Sequence, residues 1–434
     1  MSKSGFQTVR GMRDILPSDA PRWQTVEAAA LDAFHAYGYE EVRLPLLEDT
    51  ALFKRGVGEA TDIVEKEMFS FPSRDNTDGK QKASDSSLTL RPEGTASCVR
   101  ALQQHGLLYN QTQRVWYRGP MFRYERPQKG RYRQFEQIGA EVFGIASPAV
   151  EAELIQMTAD AFRSLGLLEH VELQLNTLGS GSARHAYRSA LVEYLQPFAS
   201  ELDADSQRRL ATNPLRILDS KHERTQEVVK EAPQLPDFVD EEAQAHFTEL
   251  QALLTELGIG FTLNTGLVRG LDYYTHTVFE WVTEALGAQG TVCAGGRYDG
   301  LVELLGGKPT PGAGFAMGVD RLVLLHEALQ LQAGRPAVDA YIAIAGPAQQ
   351  GYALALAARL RGELPGLRLR THVGGGKLKA QMKKADACGA RVALIIGEQE
   401  VTEGQVTCKP LAGGDQTSVA LDTLGTHLRG QLGL

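Results

Sequence analysis

Between Gln113 and Gly139, two alternating segments flank a short basic connection, and that pairing restricts the fold more than any other feature of the chain. Gln113-Arg-Val-Trp-Tyr-Arg118 and Arg133-Gln-Phe-Glu-Gln-Ile-Gly139 alternate residue by residue, as half-buried strands do. The loop around Pro127-Gln-Lys-Gly130 joins them, so the expected unit is an antiparallel hairpin. A body of such hairpins mixed with helices is antiparallel α+β. No GxGxxG occupies a first strand–helix turn and no GxxxxGK[ST] occurs, so neither standard glycine cradle would hold a nucleotide.

Other segments fill in this body. Arg22 to Tyr37 predicts an amphipathic helix, with Trp23, Val26, Ala30, Leu31 and Phe34 on one side and Gly38 as its stop. Tyr39-Glu-Glu-Val-Arg-Leu-Pro-Leu-Leu47 predicts a strand ending near Pro45. Residues 72–87 read as a polar surface loop between Glu67–Phe71 and Ser87–Leu90, longer than its setting requires, with Lys80 and Lys82 offset by acidic residues. Gly94–Gln104, Val150–Leu165 and Asp320–Leu331 read as helices, and Gly260–Asn264 and His276–Val282 as strands. A glycine-dense passage covers Gly287–Gly318. Residues 182–257 are charged and helical in pattern, which predicts an inserted subdomain. After Gly334-Arg-Pro336, strands at Val338–Ile344, Leu367–Arg370 and Arg391–Ile396 alternate with helices at Gln349–Gly362 and Lys377–Ala387. With 434 residues the chain needs more than one core. The expected plan is an α+β domain over residues 1–330, an antiparallel sheet flanked by helices, carrying the insertion 182–257. A C-terminal α/β domain over residues 336–434 completes it.

Composition removes several classes. Apolar residues make up 43% and charged residues 23%, a globular balance. A formal net charge of -8 means that any RNA partner must be met by local basic patches. Cys98, Cys293, Cys388 and Cys408 form no CxxC pair, so no metal-ligand set is expected and a reduced, cytoplasmic setting is. The N-terminus lacks an apolar leader core, and no run of eighteen apolar residues predicts a membrane span. HExxH and GxSxG are absent, which disfavours hydrolases.

The chemistry-bearing residues fall into four clusters. Arg123 and Arg131 flank the basic loop with Arg126, Lys129 and Arg133, and Arg321 opens a helix after Gly312-Ala-Gly-Phe-Ala-Met-Gly318. Guanidinium groups keep their charge in a pocket and grip phosphate oxygens in pairs. Phe135 suits either stacking on a base or the core. Phe135, Gln137 and Glu141 share one strand face and would line one wall of a cavity. In Arg91-Pro-Glu-Gly-Thr95, Thr95 is placed to cap the next helix and Glu93 to accept an ammonium group. Arg269, within Leu267-Val-Arg-Gly-Leu-Asp-Tyr-Tyr274, needs a buried anion, either a protein carboxylate such as Asp272 or a ligand. Tyr273 and Tyr274 would point to opposite faces of an extended segment, so one of them would enter the site. Ala294-Gly-Gly-Arg-Tyr-Asp-Gly-Leu301 is a turn-rich loop allowing close approach to a ligand. Lys377 and Lys384 lie on or near a helix start, and with Arg391 they could meet RNA phosphates, or form a solvated face.

These motifs resemble class II aminoacyl-tRNA synthetases, and within them the bacterial histidyl-tRNA synthetases, over nearly the full length. Tyr39–Pro45 resembles the first class motif, which builds a homodimer interface; Phe122-Arg-Tyr-Glu-Arg126 through Gln137 resembles the second, and Gly314–Leu322 the third. Leu267–Tyr274 and Ala294–Gly300 resemble the two segments peculiar to the histidine enzymes. The resemblance implies activation of L-histidine by ATP with Mg²⁺, then transfer to the 3′ end of tRNA(His). It implies that Arg123 binds the α-phosphate, Arg131 and Arg321 the outer phosphates, and Phe135 the adenine. Glu93, Thr95 and Gln137 would hold the ammonium group, and Glu141 and Tyr274, beside Tyr273, the imidazole. Arg269 would contact the carboxylate and α-phosphate, and Tyr298 would close the amino-acid pocket. Gln128 and Lys129 would approach the tRNA acceptor end, and the last domain, with Lys377 and Lys384, the anticodon. Two alternatives remain at this level. One is a synthetase-like regulatory subunit of an ATP phosphoribosyltransferase, which would lack the last domain and key site residues. The other is a non-catalytic RNA-binding protein, which would leave Glu93, Gln137 and Glu141 idle.

Overall fold

A computed structural model describes all residues except 1–4, 60, 74–86, 219, 221, 333 and 335–337. The chain divides into two compact units, residues 1–332 and 333–434.

The first unit is built on an eight-stranded sheet. Its strands are β1 (Glu40–Glu41), β2 (Gln113–Phe122), β3 (Gln134–Phe143), β4 (Glu172–Thr177), β5 (Thr262–Leu263), β6 (Thr275–Val282), β7 (Thr291–Arg297) and β8 (Gly312–Gly318). They lie in the order β1-β2-β3-β8-β7-β6-β4-β5, antiparallel except for the two end pairs. Helices α1 (Ala20–Ala36), α2 (Thr95–Gln104), α3 (Ala149–Ser164) and α4 (Val319–Ala328) flank it.

Strand alternation sorts two cores. On β3, Ile138, Ala140 and Val142 join Trp116 of β2 and Ala313, Phe315 and Met317 of β8 under α1, α3 and α4. Phe34 and Phe162 are fully buried there, each stabilising the fold by roughly 1.5–3 kcal/mol relative to exposure. The opposite face carries Phe135, Gln137, Gly139, Glu141 and Phe143 of β3, and Gly312, Gly314, Ala316 and Gly318 of β8. Small residues at every second position of β8 leave the space that the site occupies. A Cβ at Gly314 would lie 1.7 Å from Glu141 Oε2 and 2.6 Å from the Ala140 carbonyl. Gly314→Ala should therefore cost about 1–3 kcal/mol, read as a lowered melting temperature; an unchanged one would mean that the strand yields there.

Several sequence expectations change. The strand expected over 39–47 is only β1, extended by one further bond from the Val42 amide to the Trp116 carbonyl. The chain resumes at Leu47–Asp49, in a separate three-stranded sheet with Phe69–Pro72 and Ser87–Leu90. Buried Arg91 bridges the gap by donating to the Leu44 and Pro120 carbonyls. The turn-rich loop expected at Ala294–Leu301 is strand β7 as far as Arg297, and with β8 the glycine-dense passage supplies two central strands. The surface excursion expected at 72–87, including Lys80 and Lys82, lies largely outside the described residues.

Within residues 182–257, helices Gly181–Leu195, Ala204–Thr212 and Glu241–Glu256 start at side-chain caps from Ser180, Asp203 and Asp240. Phe247, Leu250 and Leu254 of the last helix join the main core. The second unit is a five-stranded mixed sheet. Its strands β9 (Ala340–Ile344), β10 (Leu369–Thr371), β11 (Val392–Ile396), β12 (Gln405–Pro410) and β13 (Thr417–Ala420) lie in the order β10-β9-β11-β12-β13.

Candidate active site

On the glycine-lined face of the first sheet lies a cleft of about 890 Å³, counted to its open mouth. Arg123, Arg131, Phe135, Gln137, Arg269, Tyr273, Tyr274, Arg321, Glu93 and Thr95 all line it. Residues far apart in sequence thus meet in one place, carried by β3, its hairpin, α2, α4 and the 264–274 segment.

One end is cationic. The Arg123 Nε donates to the Pro92 carbonyl at 2.9 Å, and its guanidinium lies 5.3 Å from the Phe135 ring centre. Arg131 pairs with Glu125. Arg321 donates to the Thr291 carbonyl at 2.6 Å and to Gly130 at 3.3 Å, which ties α4 to the hairpin tip. Burial, and then repulsion from Arg131 and Arg123, holds the Arg321 guanidinium below its ordinary pKa. Three crowded cations raise one another's cost, and a polyanion relieves it.

The other end is polar and buried. The Glu93 carboxylate accepts from the Thr95 and Ala96 amides at 2.7 and 2.9 Å, so Glu93, and not Thr95, caps α2. Burial raises its pKa against those two bonds. Thr95 spends its hydroxyl on Glu141 instead, at 2.7 Å. Tyr117 donates to Glu141 at 3.0 Å, and Tyr298 donates to its other oxygen. Burial pushes Glu141 up to about 8 against the pull of these hydroxyls. Glu141 therefore does not share the open wall with Phe135 and Gln137 as expected. It lies fully buried behind Thr95, because Gly139 lets the Tyr117 ring cover the strand at that point.

Other placements also differ. Arg269 pairs with Glu280 of β6, not with Asp272, which faces Arg184 and Asn213 instead. Tyr273 and Tyr274 both line the cleft, their ring centres 4.7 Å apart, because 264–274 is a turn-rich segment and not an extended strand. Burial lifts Tyr274 to about 12. Tyr298 is buried beneath the cleft, edge-on to Tyr273 at 5.5 Å. Gln128 and Lys129 sit exposed at the hairpin tip, where Gln128 bridges to Arg131 through backbone bonds. Lys377 and Lys384 are exposed in the second unit, at the start and in the last turn of helix Leu378–Ala387. Arg391 donates to the Leu432 carbonyl.

Sequence reading passed over Tyr117, Glu280 and Asp320. Asp320 accepts from the Glu136 amide and from Arg13, both at 2.8 Å, and so fixes the start of α4 against β3. An aspartate directly before Arg321 was the available signal. Of the buried polar atoms on cleft-lining residues that make no hydrogen bond, Glu125 Oε2 faces the Arg131 guanidinium, whereas Gln137 Oε1 and Arg269 Nε are left without a partner. An acceptor and a cationic donor left without partners match the ammonium and carboxylate of an amino acid. For a divalent cation the fit is partial. Among the described residues no group of three or more His, Cys, Asp or Glu side chains forms a metal cage. Glu125 at the cationic end holds its buried Oε2 against the Arg131 guanidinium, and its charge helps raise Glu67 after burial does. Such a site suits a magnesium ion carried mainly by substrate phosphates.

Residues 11–322 match the family described as histidyl-tRNA synthetase, and residues 339–431 match the anticodon binding domain. Among solved structures, the apo histidyl-tRNA synthetase of S. aureus is 35% identical with a TM-score of 0.79, covering 98% of this chain and 100% of that one. A histidyl-tRNA synthetase from Nostoc sp. PCC 7120 shares the fold at 18% identity and a TM-score of 0.72, covering 99% and 100%. A protein of Bacillus halodurans C described as an ATP phosphoribosyltransferase regulatory subunit/histidyl-tRNA synthetase shares it at 21% and 0.63, covering 90% and 98%.

Proposed function

The chain belongs to the histidyl-tRNA synthetase family, and from that premise we infer how its residues divide the work. It is a histidine–tRNA ligase: it activates L-histidine with ATP, releases pyrophosphate, and transfers the histidyl group to the 3′ end of tRNA(His). The observation that carries the division of roles is the convergence of Arg123, Arg131, Arg269 and Arg321 on one cleft with Glu93, Thr95 and Gln137.

In this reading the histidine ammonium lies among Glu93, Thr95 and Gln137, and its carboxylate reaches Arg269. The carboxylate oxygen attacks the α-phosphorus, and the bond to pyrophosphate breaks. Charge grows on the phosphoryl oxygens as that happens, so Arg123 and Arg269 stabilise the transition state more than the ground state. Arg131 and Arg321 hold the outer phosphates, and Phe135 stacks on the adenine. Magnesium, when bound beside Glu125, supplies charge neutralisation at the leaving pyrophosphate. Glu141, buried behind Thr95 in the free protein, accepts an imidazole N–H when the Thr95 hydroxyl turns to the ammonium group, with Tyr274 beside it and Tyr298 holding that carboxylate. No side-chain nucleophile is required. A homodimer joined near Tyr39–Pro45, tRNA contacts at Gln128, Lys129, Lys377 and Lys384, and a cytoplasmic location belong to the same proposal. No helix among the described residues is long and apolar enough to cross a membrane. The regulatory-subunit alternative has less support, since the arginine set is complete and residues 339–431 match an anticodon-binding domain.

Amino-acid-dependent ATP–pyrophosphate exchange tests this. Exchange with histidine alone among the twenty amino acids is expected; none with any amino acid overturns the reading, and exchange with another overturns the specificity. A second expectation follows from Glu141. With its carboxyl pushed up to about 8, the free protein holds that proton at pH 7. An imidazole N–H beside it favours the ionised form, so histidine binding should release about one proton at pH 7 and none above about pH 9. Calorimetric titration in buffers of different ionisation enthalpy measures this, and proton uptake at pH 7 would contradict it.

A further inference from the structure

We propose that Glu280 is a positioning residue for Arg269, fixing which edge of the guanidinium meets the reacting groups. The proposal rests on the activation chemistry inferred above. Glu280 stands on β6 with one carboxylate oxygen paired to Arg269 Nη1. Its other oxygen accepts from the Thr291 hydroxyl of β7 at 2.8 Å. The carboxylate is thus anchored at one oxygen by the neighbouring strand and presents the other to Arg269.

A guanidinium offers two edges with paired donors, Nη1 with Nη2 and Nε with Nη2. Once Glu280 holds Nη1, the edge that keeps two donors is Nε–Nη2, and Nε is the buried atom without a partner. That edge matches two oxygens side by side, one from a carboxylate and one from a phosphoryl group. Arg269 needs such a restraint because it lies outside the sheet, in the turn-rich 264–274 segment, on a long side chain with several rotatable bonds. The Tyr274 ring, 6.0 Å from its guanidinium carbon, restricts it further. Glu280 itself touches no reacting group in this arrangement; it acts through Arg269.

A double-mutant cycle separates this role from a simple fold-supporting ion pair. Glu280→Ala and Glu280→Gln are made in the wild-type background and in Arg269→Lys. Single-turnover histidyl-adenylate formation, the KM values for histidine and ATP, and melting curves are measured for each. In wild type, Glu280→Ala should lower the activation rate about 30-fold, mostly in kcat. Glu280→Gln keeps an acceptor for Nη1 and should lose only about 5-fold. In the Arg269→Lys background, where no Nε–Nη2 edge exists to orient, both changes should cost less than about 3-fold. Equal losses in the two backgrounds, or no loss in either, overturn the proposal. Should Glu280→Ala fail to fold, the near-isosteric Glu280→Gln series carries the same comparison. Failure of the underlying reading is distinct, because wild type would then show no histidine-dependent exchange.

Discussion

Arg269→Ala lowers histidine activation by about 10²- to 10³-fold, the size of effect seen when one preorganised donor to a developing oxyanion is removed. The residue is half-buried, lines the cleft, and carries a buried guanidinium nitrogen without a partner. Its loss removes a fixed positive charge where the attacking carboxylate and the α-phosphate crowd together. Because the contribution grows in the transition state, kcat should fall more than the KM for ATP rises. The same change leaves the partly buried Glu280 without its cation, which costs stability, about 1–3 kcal/mol. Glu280 keeps the Thr291 hydroxyl, so folding itself should survive. Pre-steady-state activation kinetics with a melting curve separates the two effects. Full kcat in a folded Arg269→Ala protein would show that the residue is misplaced in this account.

Glu141→Gln should cost about 100-fold in kcat/KM for histidine, roughly 2.7 kcal/mol. Three hydroxyls, from Thr95, Tyr117 and Tyr298, converge on the Glu141 carboxylate. Glutamine keeps the shape but replaces one acceptor oxygen with a donor nitrogen. One of the three hydroxyls, or the imidazole N–H, then loses its acceptor in a buried site. The fold should be at least as stable as wild type, since a buried carboxylate raised to about 8 is itself a cost. Calorimetric binding should then register no proton release with histidine. Retention of wild-type kcat/KM would remove Glu141 from the recognition of the ring.

The hairpin and most helices were legible in the sequence because their apolar spacing is local and regular. β7 and β8 were not, because glycine ordinarily marks a turn, whereas here Gly312 and Gly314 make room for Tyr298 and Glu141 across the sheet. Nothing within Ala294–Leu301 itself reveals that neighbour. β4 was missed as a short run before a helical stretch, and its place depends on pairing with β6, about a hundred residues later. The arginines of the site were legible because fixed cations among apolar or aromatic residues demand an anion. Their partners were less so. For Arg269 the sequence offers Asp272 or a ligand, while the sheet brings it Glu280. Tyr273 and Tyr274 were divided by an assumed strand, and a turn puts both in the cleft. Tyr117 carried no signal beyond an ordinary strand position; its role exists only because Gly94 and Gly139 leave space for its ring.

In the proposed mechanism, separate guanidinium groups meet one phosphorus beside a pocket for histidine. A crystal structure with a non-hydrolysable sulfamoyl analogue of histidyl-adenylate tests it most directly. The expected result is Arg123 and Arg269 both within hydrogen-bond distance of the sulfamoyl oxygens, the ring of Phe135 on the adenine, and the imidazole directed at Glu141. An analogue bound with either arginine turned away from the sulfamoyl group, or with its imidazole outside the Glu141 pocket, would contradict the account.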